Sequence, residues 1–140
     1  MNKDALITIR GIQSTDNERD EVELFTTGVF SQKGSTFRIS YDETEATGFA
    51  GTRTTLQVDR DKVTMSRSGS SRSQLIIERG VRHLCNYDTG YGSFTIGISG
   101  DKIISSLGQN GGDLAFKYSL DVETALASVN EVYVNVQLES

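Results

Sequence analysis

The chain has 140 residues, of which 14 are Lys or Arg and 19 are Asp or Glu, giving a net charge of −5. A nonspecific nucleic-acid binder depends on Lys and Arg to neutralise phosphates, so this charge argues against nucleic acid as a partner. It also argues against attachment to anionic membranes. The length predicts a single domain, residues 1–140, large enough to bury a core without a metal or disulfides.

Cys85 is the only cysteine, so no disulfide can form within the chain, which fits a reducing compartment. The first residues carry no basic and apolar leader of the kind that directs secretion. No apolar run approaches the roughly 20 residues that a membrane-spanning helix needs. We therefore expect a cytoplasmic protein with no membrane partner.

Short runs of alternating apolar and polar residues extend from Leu6 to Leu138, and no segment keeps a helical period. Alternation indicates strands with one buried face, because successive side chains point to opposite faces of a sheet. Turns rich in Gly, Ser or Asp separate the runs, and the chain contains no proline. In chain order the runs are 6–13, 21–30, 37–41, 52–58, 62–67, 74–78, 81–87, 94–98, 103–107, 114–122 and 132–138.

Three segments carry further local predictions. Within the second run the apolar phase changes near Gly28, which predicts a β-bulge or a sharp bend. Gly100 and Asp101 predict a hairpin turn between the runs on either side of them. Good helix formers in the segment 123–127 make a single helical turn an alternative to an extended connection.

Tight turns join most consecutive runs, which favours an up-and-down meander over a Greek-key sandwich. Closure of such a sheet removes the exposed edges that a proline-free β protein has few other ways to protect. We therefore predict an all-β, antiparallel, up-and-down barrel of about eight to ten strands.

The sequence contains no recognisable metal or nucleotide motif. His83 and Cys85 share one face of a predicted strand, but two ligands fall short of a tetrahedral metal site. A catalytic Cys–His pair needs hydrogen-bond contact and a third, orienting group, so packing within the barrel is the better interpretation. Gly90, Gly92 and the glycine loop 108–112 do not lie between a strand and a helix, which makes them turn residues. We expect no metal and no cofactor.

Several polar side chains share the phase of the apolar stripes. Arg67, for example, follows Val63 and Met65 at a spacing of two. Inside a small barrel such groups either satisfy one another or face a cavity where they bind a ligand. The alternative for Arg67 is an end-of-strand side chain that reaches water. The candidate ligand-binding set comprises Arg67, His83, Tyr41, Tyr87, Tyr118 and Glu78.

A buried guanidinium needs an acceptor, because an unpaired buried charge is very costly. Glu78 is a candidate partner for Arg67, but the hairpin register across residues 68–73 is open. If the turn centres near Ser70 and Ser71, Arg67 opposes Gln74, and Glu78 lies about 13 Å farther along the strand. The sequence therefore assigns no partner to Arg67.

Several motifs resemble those of the YwiB-like family, small uncharacterised proteins chiefly of Gram-positive bacteria. The most specific are the Met-x-Arg-x-Gly run 65–69 and the Tyr-x-Thr-x-Tyr-Gly run 87–92, although many relatives carry proline where this chain has Gly90. The segments that also fit are 7–9, 23–28, 54–56, 78–80 and 116–120. The resemblance covers nearly the whole chain. It implies a calycin-like, lipocalin-like β-barrel and supplies no catalytic residues.

Three hypotheses of function follow. The first is a binding module for a small, partly apolar ligand in the barrel interior, with Arg67 and His83 as polar anchors. Its apolar wall would comprise Phe37, Tyr41, Met65, Phe94, Phe116 and Tyr118. The second is an enzyme acting on a small molecule through Arg67, Glu78, His83 and Tyr87. The third is a filled barrel that acts through its surface or as an oligomer. The first is favoured.

Overall fold

The computed structural model describes residues 2–44, 50–69, 72–88 and 92–139. Within these ranges ten strands form one closed antiparallel barrel, in which each strand pairs with its neighbours in sequence and β1 pairs with β10. The strands are β1 (Asn2–Ser14), β2 (Arg19–Lys33), β3 (Thr36–Asp42), β4 (Thr52–Val58), β5 (Lys62–Gly69), β6 (Ser73–Glu78), β7 (Arg82–Asp88), β8 (Ser93–Ser105), β9 (Gly111–Val122) and β10 (Ala125–Leu138). The predicted all-β, up-and-down barrel is confirmed. No helix in the described ranges is long and apolar enough to cross a membrane.

A contiguous apolar core lies inside the barrel, built from every second residue of the strands. Ile7, Ile39, Ile98 and Leu114 are each at most 1% exposed. Full burial of such a side chain contributes about 1.5–3 kcal/mol relative to leaving it in water. The alternation read in the sequence therefore supplies the main driving force for closing the sheet.

Phe94 does not belong to the inner wall, and its prediction as a wall residue is wrong. Its side chain is 56% exposed, because it lies at the second position of β8, where the end of the barrel meets solvent. Met65 and Phe116 are 4% and 2% exposed and do face the core. Phe37 is partly buried and stacks on Phe30 with 5.9 Å between ring centroids.

The predicted hairpin turn at Gly100 and Asp101 is wrong. Both residues lie inside β8, a strand of 13 residues, and the register with β9 shifts between Gly100 and Lys102. The shift is a β-bulge, and it merges two predicted runs into one strand. Glycine is required at position 100 because a Cβ there would overlap the backbone of Glu78.

The bulge predicted near Gly28 is also wrong, since β1 and β2 pair without a register shift along their whole length. The change of apolar phase comes from Phe25, which points outward and is 72% exposed. Gly28 instead permits close packing of the strands. A Cβ at this position would overlap the carbonyl oxygen of Ser40 and lie 2.6 Å from Cδ1 of Ile7.

The segment 123–127 forms a tight turn and the start of β10, not a helical turn. Glu123 and Thr124 have φ values of 51° and 70°, a left-handed conformation that is unfavourable for both. Asp121 offsets part of this cost, because its Oδ1 accepts the N–H of Thr124 at 3.1 Å. Arg82 donates to both oxygens of that carboxylate, at 2.9 and 2.6 Å. These hydrogen bonds, above all those from Arg82, hold the pKa of Asp121 below its usual value.

Pairing in the barrel wall is sparse between β6 and β7. In the described residues these strands share one ladder position, Ser73↔Tyr87. An isolated bridge also joins Glu78, the last residue of β6, to Val81, which precedes β7. By contrast, β6 pairs with β5, and β7 with β8, along nearly their whole lengths. We refer to residues 73–78 and 82–87 as the seam.

Replacement of Gly28 by Ala should destabilise the protein, because the added methyl group would collide with the backbone of β3 and with Ile7. We expect a loss of about 1–3 kcal/mol in the free energy of unfolding. Gly11→Ala is the matched control, since a Cβ there meets nothing within 4 Å and alanine loses less entropy than glycine on folding. Urea denaturation measures both variants, and equal midpoints would contradict the role assigned to Gly28.

Candidate functional site

Five polar residues form one row across five adjacent strands. In order of ladder pairing they are Tyr41, Thr54, Arg67, Ser73 and Tyr87. Directly opposed residues of antiparallel strands share a face, and Tyr41 and Thr54 are 4% and 0% exposed, so the row faces the interior. We refer to these residues as the polar belt. The register that the sequence left open is Arg67↔Ser73, one residue from the register considered above.

Arg67 reaches Glu43, the residue that follows β3. The distance from Arg67 Nε to Glu43 Oε2 is 3.6 Å, and the two side chains are only 15% and 3% exposed. Thr54 donates its hydroxyl to the same carboxylate oxygen at 2.8 Å. Burial of a charge is costly, and a partner removed from such a pair leaves a larger cost behind. The ion pair therefore holds both side chains in place.

Glu43 does not stand out in the sequence, and Glu78, the candidate partner for Arg67, lies elsewhere. Glu43 lies between the predicted runs 37–41 and 52–58, yet it continues the spacing of two through Ile39 and Tyr41. Its N–H extends the ladder between β3 and β4 by donating to the carbonyl of Thr52 at 2.8 Å. The continued spacing is the signal that could have identified it.

Two buried tyrosines lie within electrostatic reach of Arg67. Burial raises the pKa of Tyr41, and the Glu43 carboxylate raises it further, while the Arg67 guanidinium partly offsets both effects. Burial likewise raises the pKa of Tyr118 on β9, again partly offset by Arg67 and slightly increased by Tyr87. Side chains from β3, β5, β7 and β9 thus converge inside one end of the barrel.

A cleft of about 510 Å³ opens in the wall over the seam. Its floor consists of Arg67, Ser73 and Cys85, which have the inward phase of their strands. Its sides consist mainly of outward-facing residues of β6 and β7 themselves. The described lining residues are Arg67, Ser68, Arg72, Ser73, Gln74, Ile76, Leu84, Cys85, Asn86 and Ser93. The sparse pairing of β6 with β7 is what gives the cleft access to inward residues.

The described lining of the cleft is positively charged. It contains Arg67 and Arg72 but no Asp or Glu, and its Ser, Gln and Asn side chains add hydrogen-bond donors. Ile76 and Leu84, the latter 67% exposed, make one part of it apolar. The described part of the lining is thus positive on a chain whose net charge is −5, and positive surface attracts anions.

Cys85 lies in the middle of the seam. Its thiol is buried and free of any disulfide, and its sulfur accepts the N–H of Ile76 at 3.5 Å. This contact links β6 and β7 at a position where the backbone ladder does not. Cys85 therefore has a structural contact of its own, which agrees with the packing interpretation of this residue.

The predicted residues Glu78 and His83 form a separate pair at the other end of the seam. His83 Nε2 lies 2.8 Å from Glu78 Oε1. Four positions along β7, about 13 Å, separate His83 from Tyr87. The structure thus brings three of the predicted residues, Tyr41, Tyr87 and Tyr118, to the same end of the barrel as Arg67 and leaves Glu78 and His83 apart from them. No group of three or more His, Cys, Asp or Glu in the described ranges could hold a metal ion.

A second cleft, of about 360 Å³, lies on the outer face of β1, β2, β8, β9 and β10. Ile104 and Tyr133, which are 55% and 41% exposed, form apolar sides. Arg10, the cation in its described lining, is already engaged, because it pairs with Glu21 and lies 5.7 Å from the ring centroid of Tyr133. This cleft is therefore the weaker candidate for a ligand site.

The fold and the cleft define a small, closed, antiparallel β-barrel protein with a polar opening in its wall. A family model described as "Domain of unknown function (DUF1934)" matches residues 7–134, and the chain belongs to this family. It is similar in structure to the ywiB protein from Bacillus subtilis, whose crystal structure matches with a TM-score of 0.85 over 99% of this chain and 94% of that chain. At 17% sequence identity this likeness concerns the fold alone. The predicted resemblance to YwiB-like proteins is confirmed, and no curated protein matches the chain.

Loss of the Arg67 charge should destabilise the fold, because Arg67→Met leaves the Glu43 carboxylate buried without this cation. We expect a loss of about 3 kcal/mol in the free energy of unfolding, part of which a second change, Glu43→Gln, should recover. Arg53→Met is the control, since Arg53 pairs at 3.1 Å with Asp42, which is 79% exposed, and exposed pairs contribute about 0–1 kcal/mol. Equal losses in the two single variants would contradict a buried ion pair.

Tyr41 and Tyr118 should stay protonated until the barrel unfolds in alkali, because their pKa values are raised above the ordinary value of 10. The unfolded state releases these protons first. The stability that the two groups contribute is therefore complete below pH 10 and falls as the pH rises above it. Tyrosinate absorbance should show groups that ionise only with unfolding, and Tyr41→Phe and Tyr118→Phe should each remove one. Ordinary titration of both in the folded protein would contradict their burial.

Proposed function

We propose that this protein binds a small, partly apolar molecule in the cleft over the seam. The observation that carries the proposal is the opening of the wall where the polar belt reaches Arg67 and Ser73. A volume of about 510 Å³ lies within the range typical of small-molecule sites. The lining also has the composition of such sites, in which a few convergent polar groups accompany apolar surface.

The cleft is a better location for a ligand than the barrel axis. Met65, Leu114 and Phe116 pack the described interior with exposed fractions of 4% or less. A ligand on the axis would displace these side chains, and rearrangement of a packed core costs free energy. The resemblance implies a calycin-like mode, in which the ligand binds inside the barrel. The proposal instead places the ligand in the cleft in the barrel wall.

The polar belt supports the cleft from inside. Glu43 pairs with Arg67, and the buried Tyr41 and Tyr118 lie within electrostatic reach of the same guanidinium group. Tyr87 closes the near end of the seam through its pairing with Ser73. In the proposal these residues position the floor of the site and need not all contact the ligand.

Binding without chemistry is the form of the proposal that we favour. A catalytic acid–base pair has to reach the bound substrate, and Glu78 and His83 are not among the described lining residues of the cleft. A cytoplasmic location is part of the proposal. Its support is the single cysteine of the chain, since proteins of reducing compartments do not rely on disulfides.

A fragment screen read by the amide chemical shifts of isotope-labelled protein tests the proposal. The compounds pair one polar head group with a small apolar body. Binders should produce saturable shifts in the amide signals of Ser73, Ile76, Leu84 and Asn86. A screen in which no compound shifts these signals would overturn the proposal, as would binders that concentrate around Tyr133 in the second cleft.

Leu84→Ser should weaken the binding of ligands found in the cleft about fivefold, because the apolar body loses a contact worth about 1 kcal/mol. The fold should tolerate the change, since Leu84 is 67% exposed. Leu126→Ser is the matched control, because Leu126 is 63% exposed and lies outside the described lining. Calorimetric titration measures both, and an unchanged affinity in Leu84→Ser would exclude the apolar side from the site.

A further inference from the structure

An apolar slot that solvent reaches lies on the outer face of β8, β9 and β10. Ladder pairing places Ile104 and Tyr133 on either side of Ala115, and the two flanking residues are 55% and 41% exposed. Because Ala115 carries only a methyl group, the space between them is open, and it forms part of the second cleft, of about 360 Å³. Outward positions of an antiparallel sheet in water are ordinarily polar, so this slot indicates an interaction site.

Polar residues differ in a regular way between the two sides of the slot. On β9, Asp113 lies two positions before Ala115 and Lys117 lies two positions after it, so all three face outward. On β10, the residue opposite Asp113 is Asn135, and the residue opposite Lys117 is Glu131. Asn135 donates to the carboxylate of Asp113 at 2.8 Å, which leaves that carboxylate with further acceptor sites.

β8 continues the same pattern beside β9. The N–H of Ser106, the residue after β8, donates to the carbonyl oxygen of Asp113 at 2.8 Å. Lys102 lies opposite Lys117 in the ladder. All three strands therefore carry a different polar group on each side of the slot.

A two-fold rotation exchanges the two sides of the slot. If the axis crosses β9 at Ala115 and at right angles to the strand, each residue on one side faces a residue of the other side in a second copy. The strands of the two walls then run in line, as in the aligned packing of sheets. Every such contact on the three strands joins complementary groups: a carboxylate or a hydroxyl meets an ammonium group, and an amide meets a carboxylate. The facing pairs are Asp113 with Lys117, Asn135 with Glu131, and Ser106 with Lys102.

The other charged groups on this face are compatible with the arrangement. Asp101 lies 4.0 Å from Lys117, and the two side chains are 67% and 41% exposed, so their contact is weak and leaves the ammonium group able to bind a second carboxylate. Arg10 and Glu23 lie two and three strands away from β9, on β1 and β2. Each would face its own equivalent in the second copy, but two strands of a ten-strand barrel turn the wall by roughly a fifth of its circumference. This curvature moves both side chains away from the contact.

We propose that this face binds a second copy of the chain, so that the protein forms a symmetric homodimer through β8, β9 and β10. The slot lies at the centre of the contact, and an ion pair between Asp113 and Lys117 lies on each side of it. Two convex walls bury less surface than a permanent dimer needs, and the charge of −5 on each chain opposes association. The dimer is therefore weak and reversible. The seam lies in β6 and β7, outside this face, so the inference is independent of the proposed binding function.

Sedimentation of the protein between about 20 µM and about 1 mM measures the association. The wild-type chain should pass from monomer towards dimer over this range. The amide signals that move with concentration should be those of Ile104, Ala115 and Tyr133. A chain that remains monomeric at about 1 mM would overturn the inference and leave the face to another occupant.

Reversal of one charge at a time tests the geometry of the dimer. Asp113→Lys and Lys117→Asp each place like charges at both ion pairs of their own dimer, so each should weaken dimerisation about tenfold. An equimolar mixture of the two variants should dimerise again. In the mixed dimer one chain carries lysine at both positions and the other carries aspartate at both, so both ion pairs form.

The matched controls make the same charge changes at exposed residues in turns outside this face. They are Asp16→Lys, between β1 and β2, and Arg60→Asp, between β4 and β5. Mixing of the two controls should restore nothing beyond the effect of their net charges. If the variants at 113 and 117 dimerise like their controls, or if their mixture does not recover, the dimer uses another surface and the inference is wrong.

Ile104→Ser provides a test that leaves the charges in place. The fold should tolerate the change because Ile104 is 55% exposed, and circular dichroism checks this for every variant. Dimerisation should weaken about fivefold, since an apolar contact at the centre of the interface is lost from both chains. An unchanged dissociation constant would contradict the placement of the slot at the interface, even if a charge variant failed to fold.

Discussion

A sheet that closes on itself has to pair each strand on both sides, and this barrel meets that requirement least well at the seam. The cause lies at Gly100 in β8. The backbone of Glu78, at the end of β6, lies directly against Gly100, and the next residues continue the contact through a parallel bridge from Arg79 and a 2.9 Å hydrogen bond from the N–H of Gly80. The end of β6 is thereby attached to β8, and β7 begins within this crossing. β7 keeps its full ladder with β8 and loses most of its ladder with β6.

The same crossing determines where charge can be accommodated inside the barrel. A guanidinium group within a fully closed apolar core would face an uncompensated desolvation cost. Arg67 lies at the end of the seam, where the wall admits solvent to one side of its side chain and Glu43 pairs with it on the other. Its side chain is 15% exposed, against 3% for Glu43. The position combines a buried structural contact with an accessible cationic surface, and the cleft depends on both.

The sequence predicts the positions of the strands far better than it predicts the register and the contacts between them. Alternation places Ile39, Leu114 and Phe116 in the core because burial on one face is a local property of a strand. It does not distinguish a turn from a bulge at Gly100, because the choice depends on the approach of Glu78 from a strand distant in sequence. For the same reason neither Arg67↔Ser73 nor the contact with Glu43 could be predicted, since each depends on the register between strands.

The residues whose positions the sequence predicts wrongly also have a physical explanation. Phe94 keeps the phase of Ile96 and Ile98, yet it is exposed because phase predicts which face a residue occupies and not how far the barrel extends around it. Glu123 and Thr124 form a turn with unfavourable φ values, and Asp121 stabilises that turn. Asp121 lies outside the segment 123–127, so the helix propensities of that segment do not include its contribution. In each case a long-range contact or the end of the barrel overrides a local signal.

A ligand along the seam would occupy the part of the wall where β6 and β7 contribute least to each other. Binding of any molecule to the folded state alone shifts the unfolding equilibrium in proportion to the logarithm of its concentration over its dissociation constant. A molecule that contacts Ile76 on β6 and Leu84 on β7 would, in addition, supply contacts between the two strands. The lowest-energy local opening of the barrel is expected at this seam, since regions with few backbone hydrogen bonds open most readily. Occupancy of the cleft should therefore protect the amides of β6 and β7 from hydrogen exchange more than those of β1 and β2, whose ladder is continuous.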